Sequence, residues 1–171
     1  DNTGPFLPPA LVVDSQTYNY NPSLAIDSQG NVHIVRTYLY YGGIRYLKLD
    51  NNGSSLVNTI QLTSSGDYSK AAIDTQGQLH VVWVEGYAPA QYEISYLKLN
   101  NTGSIITPIT RLTMDPALSG APSIAVSSDR RAHVVWQDLR NGNSSFYNWE
   151  IYYKGMQKKK NRLPCFFGLL C

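Results

Sequence analysis

Three histidines are the side chains here best suited to chemistry. His33, His80 and His133 lie 47 and 53 residues apart, and each precedes a pair of β-branched residues. An imidazole can ligate a metal or carry a proton near neutral pH. Ligation would need the three rings to converge near one axis. Rings at one repeated position more simply make the same structural hydrogen bond several times, so no metal and no cofactor is assigned. A second set pairs charge with aromatic rings: Arg36, Glu85, Asp138 and Arg140 among Tyr38, Tyr40, Tyr68 and Tyr87. Rings that stack on an apolar face, with a few polar tips to fix orientation, suit a sugar or a peptide. No nucleophile–base pair, metal-ligand spacing or phosphate loop is present, so no catalytic residue is assigned.

These residues sit in a sequence that repeats. Residues 21–35 return as 71–83 and again as 121–136. A period near 50 built of short β-type runs is the mark of a propeller or a similar array. In the second repeat, Ala71–Asp74 and Leu79–Trp83 are apolar runs joined by Thr75-Gln76-Gly77. Glu93–Leu99 alternates as a strand does, Asn100–Gly103 is a tight turn, and Ile105–Leu112 is a fourth run interrupted by Pro108. Proline is tolerated on an edge strand. Each repeat therefore reads as a four-stranded antiparallel meander, a to d.

The first repeat follows with Leu24–Asp27, Val32–Arg36, Ile44–Leu49 and Leu56–Leu62. The third supplies Ile124–Val126, His133–Trp136 and Trp149–Tyr153. Its a–b turn, residues 127–130, lacks glycine, so it must differ from the others or strain a residue. Asp27 and Asp74 are placed to cap their hairpins, with Ser127 a weaker equivalent.

The ends complete the count. Asp1-Asn2-Thr3-Gly4 matches the c–d turn Asn100–Gly103, so residues 1–20 read as a strand d. The expected division is residues 21–69 and 70–120 as two blades and 121–156 as strands a to c of a closing blade. The N-terminal strand would complete that last blade, and residues 157–171 form a non-repeat tail carrying Cys165 and Cys171. Three blades do not close a ring, since rings start at about four. Two solutions stay open: a second copy making a homodimeric ring of six blades, or the rest of a longer propeller.

Within a blade, the a–b and c–d turns share one face of the ring, and the b–c and d–a loops share the other. The first set is short and stereotyped; the second is long and variable, which is where binding lives on a rigid frame. The long-loop face carries Tyr38, Tyr40, Tyr68, Glu85, Tyr87, Asp138 and Arg140. Against this stands packing of the same tyrosines between blades. Trp83 and Trp136 share one repeat position and read as core between blades. Arg36 replaces them in the first repeat, which marks it for function or for a pairing such as Asp67.

Bulk composition narrows the classes. With 43% hydrophobic and 15% charged residues, the chain is no disordered tail. A net charge of +2, with Lys158–Lys160 and Arg162 clustered in the tail, leaves no broad basic face for nucleic acid. No run of about 20 apolar residues is present to cross a membrane as a helix.

The residues Val134–Arg140, Gly142-Asn143 and Trp149–Lys154 resemble the repeats of sialidase-like (BNR/Asp-box-like) β-propellers, and the Ile26–Val32 hairpin resembles NHL-type blades. The likeness covers residues 1–156. It implies a propeller; it does not carry over the arginine triad, acid/base aspartate and Tyr/Glu pair of true sialidases, whose signatures are absent. The function expected is a non-catalytic binding or assembly module, extracellular or on a cell surface, taking a carbohydrate or a protein. The alternatives are a piece of a sialidase-like glycoside hydrolase propeller, or a structural domain of a larger surface protein.

Overall fold

The computed structural model describes residues 11, 18–38, 42–86, 92–142 and 148–156. The N-terminal strand expected within residues 1–20, the tail from residue 157, and Tyr40 and Tyr87 fall largely or wholly outside them.

Eleven strands form three antiparallel sheets among the described residues. The first holds β1 (Asn19–Ile26), β2 (Val32–Tyr38), β3 (Ile44–Leu49) and β4 (Ser55–Gln61), in that order. The second holds β5 (Asp67–Ile73), β6 (Leu79–Glu85), β7 (Glu93–Leu99) and β8 (Ile105–Arg111), again in order. The third holds β9 (Ser119–Val126), β10 (Ala132–Asp138) and β11 (Glu150–Gly155). The meander read from the sequence is present in each sheet. The strands a are longer than expected, however. They begin at Asn19, Asp67 and Ser119, so Tyr68 lies in a strand rather than in a loop.

Burial explains the order. β2, β3, β6 and β7 are buried on both faces, whereas β4 and β8 are largely exposed outer edges. Pro108 sits where β8 bulges away from β7: Lys98 faces Thr107 and Tyr96 faces Thr110, so one strand advances three residues while the other advances two. A proline in that bulge withdraws no ladder donor. β4 bulges in the same place, between Val57 and Ile60.

Two apolar clusters hold the sheets face to face. Val35, Ile44, Tyr46 and Leu62 of the first sheet meet Leu79, Val81, Trp83, Leu97 and Leu99 of the second. Val82, Val84, Ile94, Tyr96 and Leu112 of the second meet Ala132, Val134 and Trp136 of the third. Trp83 is fully buried and Trp136 nearly so, as their shared repeat position predicts. Removing either side chain would cost about 3–5 kcal/mol.

Candidate functional site

Each inner strand starts with the same backbone distortion. Asn21, Tyr68 and Ala121 occupy one repeat position, and all three have positive φ, at 48°, 52° and 43°. Each lies in a break of register against the neighbouring strand, between Tyr20 and Ser23, between Asp67 and Lys70, and opposite Val135–Gln137. A tyrosine in the left-handed region is uncommon, and such strain persists only where the surroundings enforce it, often at binding sites. The distortion is stitched across sheets: the Asn21 Nδ2 donates to Asp67 Oδ1 at 2.8 Å, and the Ala71 amide donates to Ser23 Oγ at 3.1 Å.

Two of these strand starts, at Tyr68 and Ala121, wall a cavity of about 530 Å³ lined mainly by the second and third sheets, with Gly42 of the first sheet at its side. Its aromatic lining is Tyr68, Tyr92 and Trp149, and its polar lining is Asp67, Ser119 and Gln137. Gly42, Tyr92 and Trp149 hold a single repeat position, two residues before the buried or edge isoleucine of each third strand (Ile44, Ile94, Ile151). Gly66 lets the floor come close. A Cβ there would stand 2.3 Å from Cδ1 of Trp83, on a backbone with φ of 116°.

Of the residues expected to bind, Tyr68 lines this cavity. Glu85 is turned into the strand end: the Trp83 indole N–H donates to Oε2 at 2.5 Å and the Ser65 hydroxyl donates to Oε1. Asp138 is fully buried and accepts from Ser119 Oγ at 2.9 Å, Trp136 Nε1 at 2.8 Å, and Arg140 through its backbone N–H, Nε and Nη2. Burial alone would raise this carboxyl; those bonds outweigh it and hold it well below the usual carboxylate range. Arg140 in turn stacks 3.9 Å over the Tyr152 ring. Asp138 and Arg140 thus brace the third sheet. Arg36 does not reach Asp67: its Nη1 donates to Asn19 Oδ1, since Asp67 is held by Asn21. Arg36 and Arg45 face each other across β2 and β3, and Arg45 lies 3.7 Å over the Tyr38 ring. Burial and then the Arg45 charge lower the Arg36 guanidinium.

The histidines are struts. In the first sheet, His33 Nε2 lies 3.3 Å from Asp27 Oδ2 and Tyr46 Oη 3.0 Å from His33 Nδ1. A carboxylate only accepts, so Nε2 carries the proton and the tyrosine hydroxyl donates to Nδ1. Asp27 also accepts from the Gln29 and Asn31 amides, both at 2.9 Å, as a hairpin cap, and pairs with Lys48 at 3.1 Å. Asp74, His80, Tyr96 and Lys98 repeat the arrangement. The third sheet keeps His133 with Tyr153, at 2.8 Å, but has Ser127 and Gly155 where the others have aspartate and lysine.

Not singled out at the sequence level were Tyr92, Gln137 and Trp149, and Asp67 was expected only as a partner for Arg36. Their signal is a column that varies inside a repeated frame: Gly42, Tyr92 and Trp149 in one, Asp67 and Gly120 in another.

Comparison with solved structures bears on the fold. An endo-arabinase from Bacteroides thetaiotaomicron VPI-5482 superimposes with a TM-score of 0.59 at 16% identity, over 93% of this chain and 64% of that one. The fold is that of a β-propeller. An α-L-arabinofuranosidase (CtGH43) from Clostridium thermocellum ATCC 27405 gives 0.50 at 14% identity, over 84% of this chain and 51% of that one. Both neighbours are five-bladed glycoside hydrolase propellers, and the chain spans less than two thirds of either. No protein-family model and no curated protein sequence matches it. The three sheets are propeller blades, with β1, β5 and β9 innermost. The sialidase-like character of the repeats stays a resemblance in sequence.

Proposed function

We propose that the chain engages a carbohydrate in the cavity between its second and third blades, as the glycan-holding part of a glycoside-hydrolase-type propeller. One observation carries this reading: three rings, Tyr68, Tyr92 and Trp149, line a cavity whose few polar groups are Asp67, Ser119 and Gln137. Rings supply stacking faces for pyranose or furanose C–H groups, and the polar tips read hydroxyls. The volume falls in the range of about 300–1,000 Å³ usual for small-molecule sites. Strain at Tyr68 and Ala121 fixes the wall before a ligand arrives.

Hydrolysis asks for more. Glycosidases use two carboxyl groups, about 5 Å apart in retaining enzymes and about 6.5–9.5 Å apart in inverting ones. Among the described cavity-lining residues Asp67 is the only carboxylate. Binding is therefore the activity assigned to these residues, in an extracellular or surface setting.

The names of the neighbours make arabinose-containing oligosaccharides the first ligands to try. Isothermal titration should show saturable binding to an arabino-oligosaccharide or another neutral glycan. Trp149→Ala should weaken it at least about tenfold, roughly 1.4 kcal/mol, with the circular dichroism spectrum kept. An absence of saturable binding across arabino-, xylo- and sialo-oligosaccharides ends the proposal. Turnover of a fluorogenic arabinofuranoside or sialoside is scored separately, since it reports on catalysis alone.

A further inference from the structure

The cavity between the second and third blades carries a charge that nothing answers. Asp67 lines it, and among the described residues no lysine, arginine or histidine does. Both donors that fix this carboxylate reach one oxygen. Asn21 Nδ2 donates to Oδ1 at 2.8 Å, and the Tyr68 amide donates to the same atom at 2.6 Å. Oδ2 has no partner among the described residues.

The other acids at these strand ends are spent differently. Glu85 gives one oxygen to the Trp83 indole and the other to the Ser65 hydroxyl. Both oxygens of Asp138 accept from Arg140, and one also accepts from Ser119 and Trp136. Asp67 alone keeps a free oxygen and takes part in no ion pair among the described residues. Lys70, three residues further along β5, does not pair with it. The sequence between β2 and β3, and between β6 and β7, contains no basic residue, and that between β10 and β11 contains only Arg140, which Asp138 holds.

Three rings share the wall with this carboxylate: Tyr68, Tyr92 and Trp149. An aromatic face carries negative potential and attracts a cation. A sugar hydroxyl would satisfy Oδ2 as an acceptor and leave its charge standing. An ammonium group does both, through a charge-assisted hydrogen bond. An acidic sugar would meet like charge.

We infer that the ligand of this cavity is an amino sugar, its ammonium on Asp67 Oδ2 and its ring against the aromatic side chains. This rests on the carbohydrate reading and narrows it to glycans bearing a positive charge.

Isothermal titration of the full chain tests it, at about pH 6, where such an amine is charged. The probes are cellotriose and the glucosamine trimer of the same linkage, which differ only in a hydroxyl or an ammonium on each ring. The glucosamine trimer should bind at least about fivefold more tightly, and the preference should shrink as ionic strength rises from about 0.01 M to about 1 M. Asp67→Asn keeps an oxygen for the Asn21 and Tyr68 donors and removes the charge. It should bring the two trimers to within about twofold of each other. A smaller preference in the unaltered chain, or one that survives Asp67→Asn or high salt, overturns the inference and leaves the carbohydrate reading in place. Choline, an ammonium without a sugar ring, should bind more weakly than the glucosamine trimer; tighter binding of choline overturns the amino-sugar assignment. If neither trimer nor any other glycan binds, both readings fall together.

Discussion

Tyr96 donates its hydroxyl hydrogen to His80 Nδ1 across 2.9 Å, while His80 Nε2–H faces Asp74 Oδ2 at 3.4 Å. The ring is satisfied only when neutral. Burial, and after it the Lys98 charge, push His80 down to about 4 against the pull of Asp74. His33 is lowered in the same way. Burial likewise pushes the Tyr46 hydroxyl up to about 12, keeping it a donor.

A pH dependence follows. The unfolded chain protonates its histidines near 6.5 and the folded one near 4 for His80, so between those values the unfolded state binds more protons. Stability contributed by neutral His80 is complete above about pH 6.5 and is lost as the pH falls toward 4, by up to about 3 kcal/mol. Urea titrations from pH 7.5 to pH 4 should show the midpoint falling through this window. His80→Gln should be less stable at pH 7 and show a shallower fall. A midpoint flat across the window would refute the assignment of a neutral buried ring.

The third blade shows that aspartate and lysine leave together. Ser127 replaces the capping aspartate and Gly155 the lysine, and the histidine–tyrosine bond is retained. A buried carboxylate without its cation is the costly state, so Lys48→Met should destabilise the fold by about 3–5 kcal/mol. Asp27 and Lys48 side chains are 3% and 5% exposed, which keeps the pair near that range. Adding Asp27→Ser to Lys48→Met should cost less than the two single losses summed, with a coupling of about 1–3 kcal/mol. Strict additivity in a double-mutant cycle by chemical denaturation would show that the pair does not interact.

Frame and site differ in how far they could be read from sequence, for a physical reason. Core positions answer to one constraint in every blade, so His33, His80 and His133, and Trp83 with Trp136, recur and announce themselves. The hairpin aspartates and the edge proline at 108 were legible because turn and edge geometry demand particular residue types. A ligand touches each blade differently, so its residues appear where the repeats disagree, as at Gly42, Tyr92 and Trp149. Charge in a loop was a poor guide. Asp138 and Arg140 have the types of a ligand-binding pair, yet the strand end they close uses their hydrogen bonds. Arg36 broke the repeat, but its partner, Asn19, lies in a stretch of strand β1 that the apolar pattern does not reach.

The turn without glycine offers a stabilising change. Residues 127–130 adopt the same hydrogen-bonded turn as residues 27–30 and 74–77, with the Arg130 amide donating to the Ser127 carbonyl at 2.8 Å. Gly30 and Gly77 hold φ of 82° and 72°, and Arg130 is forced to 67°. A side chain in that region costs about 1–2 kcal/mol. The exposed bond from Arg130 to Gln76 returns little of it. Arg130→Gly should therefore raise stability by about 0.5–1 kcal/mol, after the greater backbone freedom of glycine in the unfolded chain is subtracted. A lower urea midpoint for this variant would mean that the Gln76 contact outweighs the strain.

Gly66 couples core and cavity in one residue. It lines the cavity with Asp67 and Tyr68, and its back rests on the Trp83 indole. A methyl group there meets Cδ1 at 2.3 Å and Nε1 at 2.8 Å, and the indole cannot swing aside without breaking its bond to Glu85 Oε2 and its packing against the first blade. Positive φ adds strain of its own. The equivalent positions, Asn19 and Ser119, carry side chains, which bond to Arg36 and to the strand-end residue Asp138. Gly66→Ala should cost about 2–4 kcal/mol in thermal or chemical denaturation, from overpacking and strain together. It should also quench or shift the Trp83 fluorescence, which no surface alanine would do. A variant with unaltered stability and emission would mean that the first and second blades have room to part, and that the cavity floor is softer than its contacts imply.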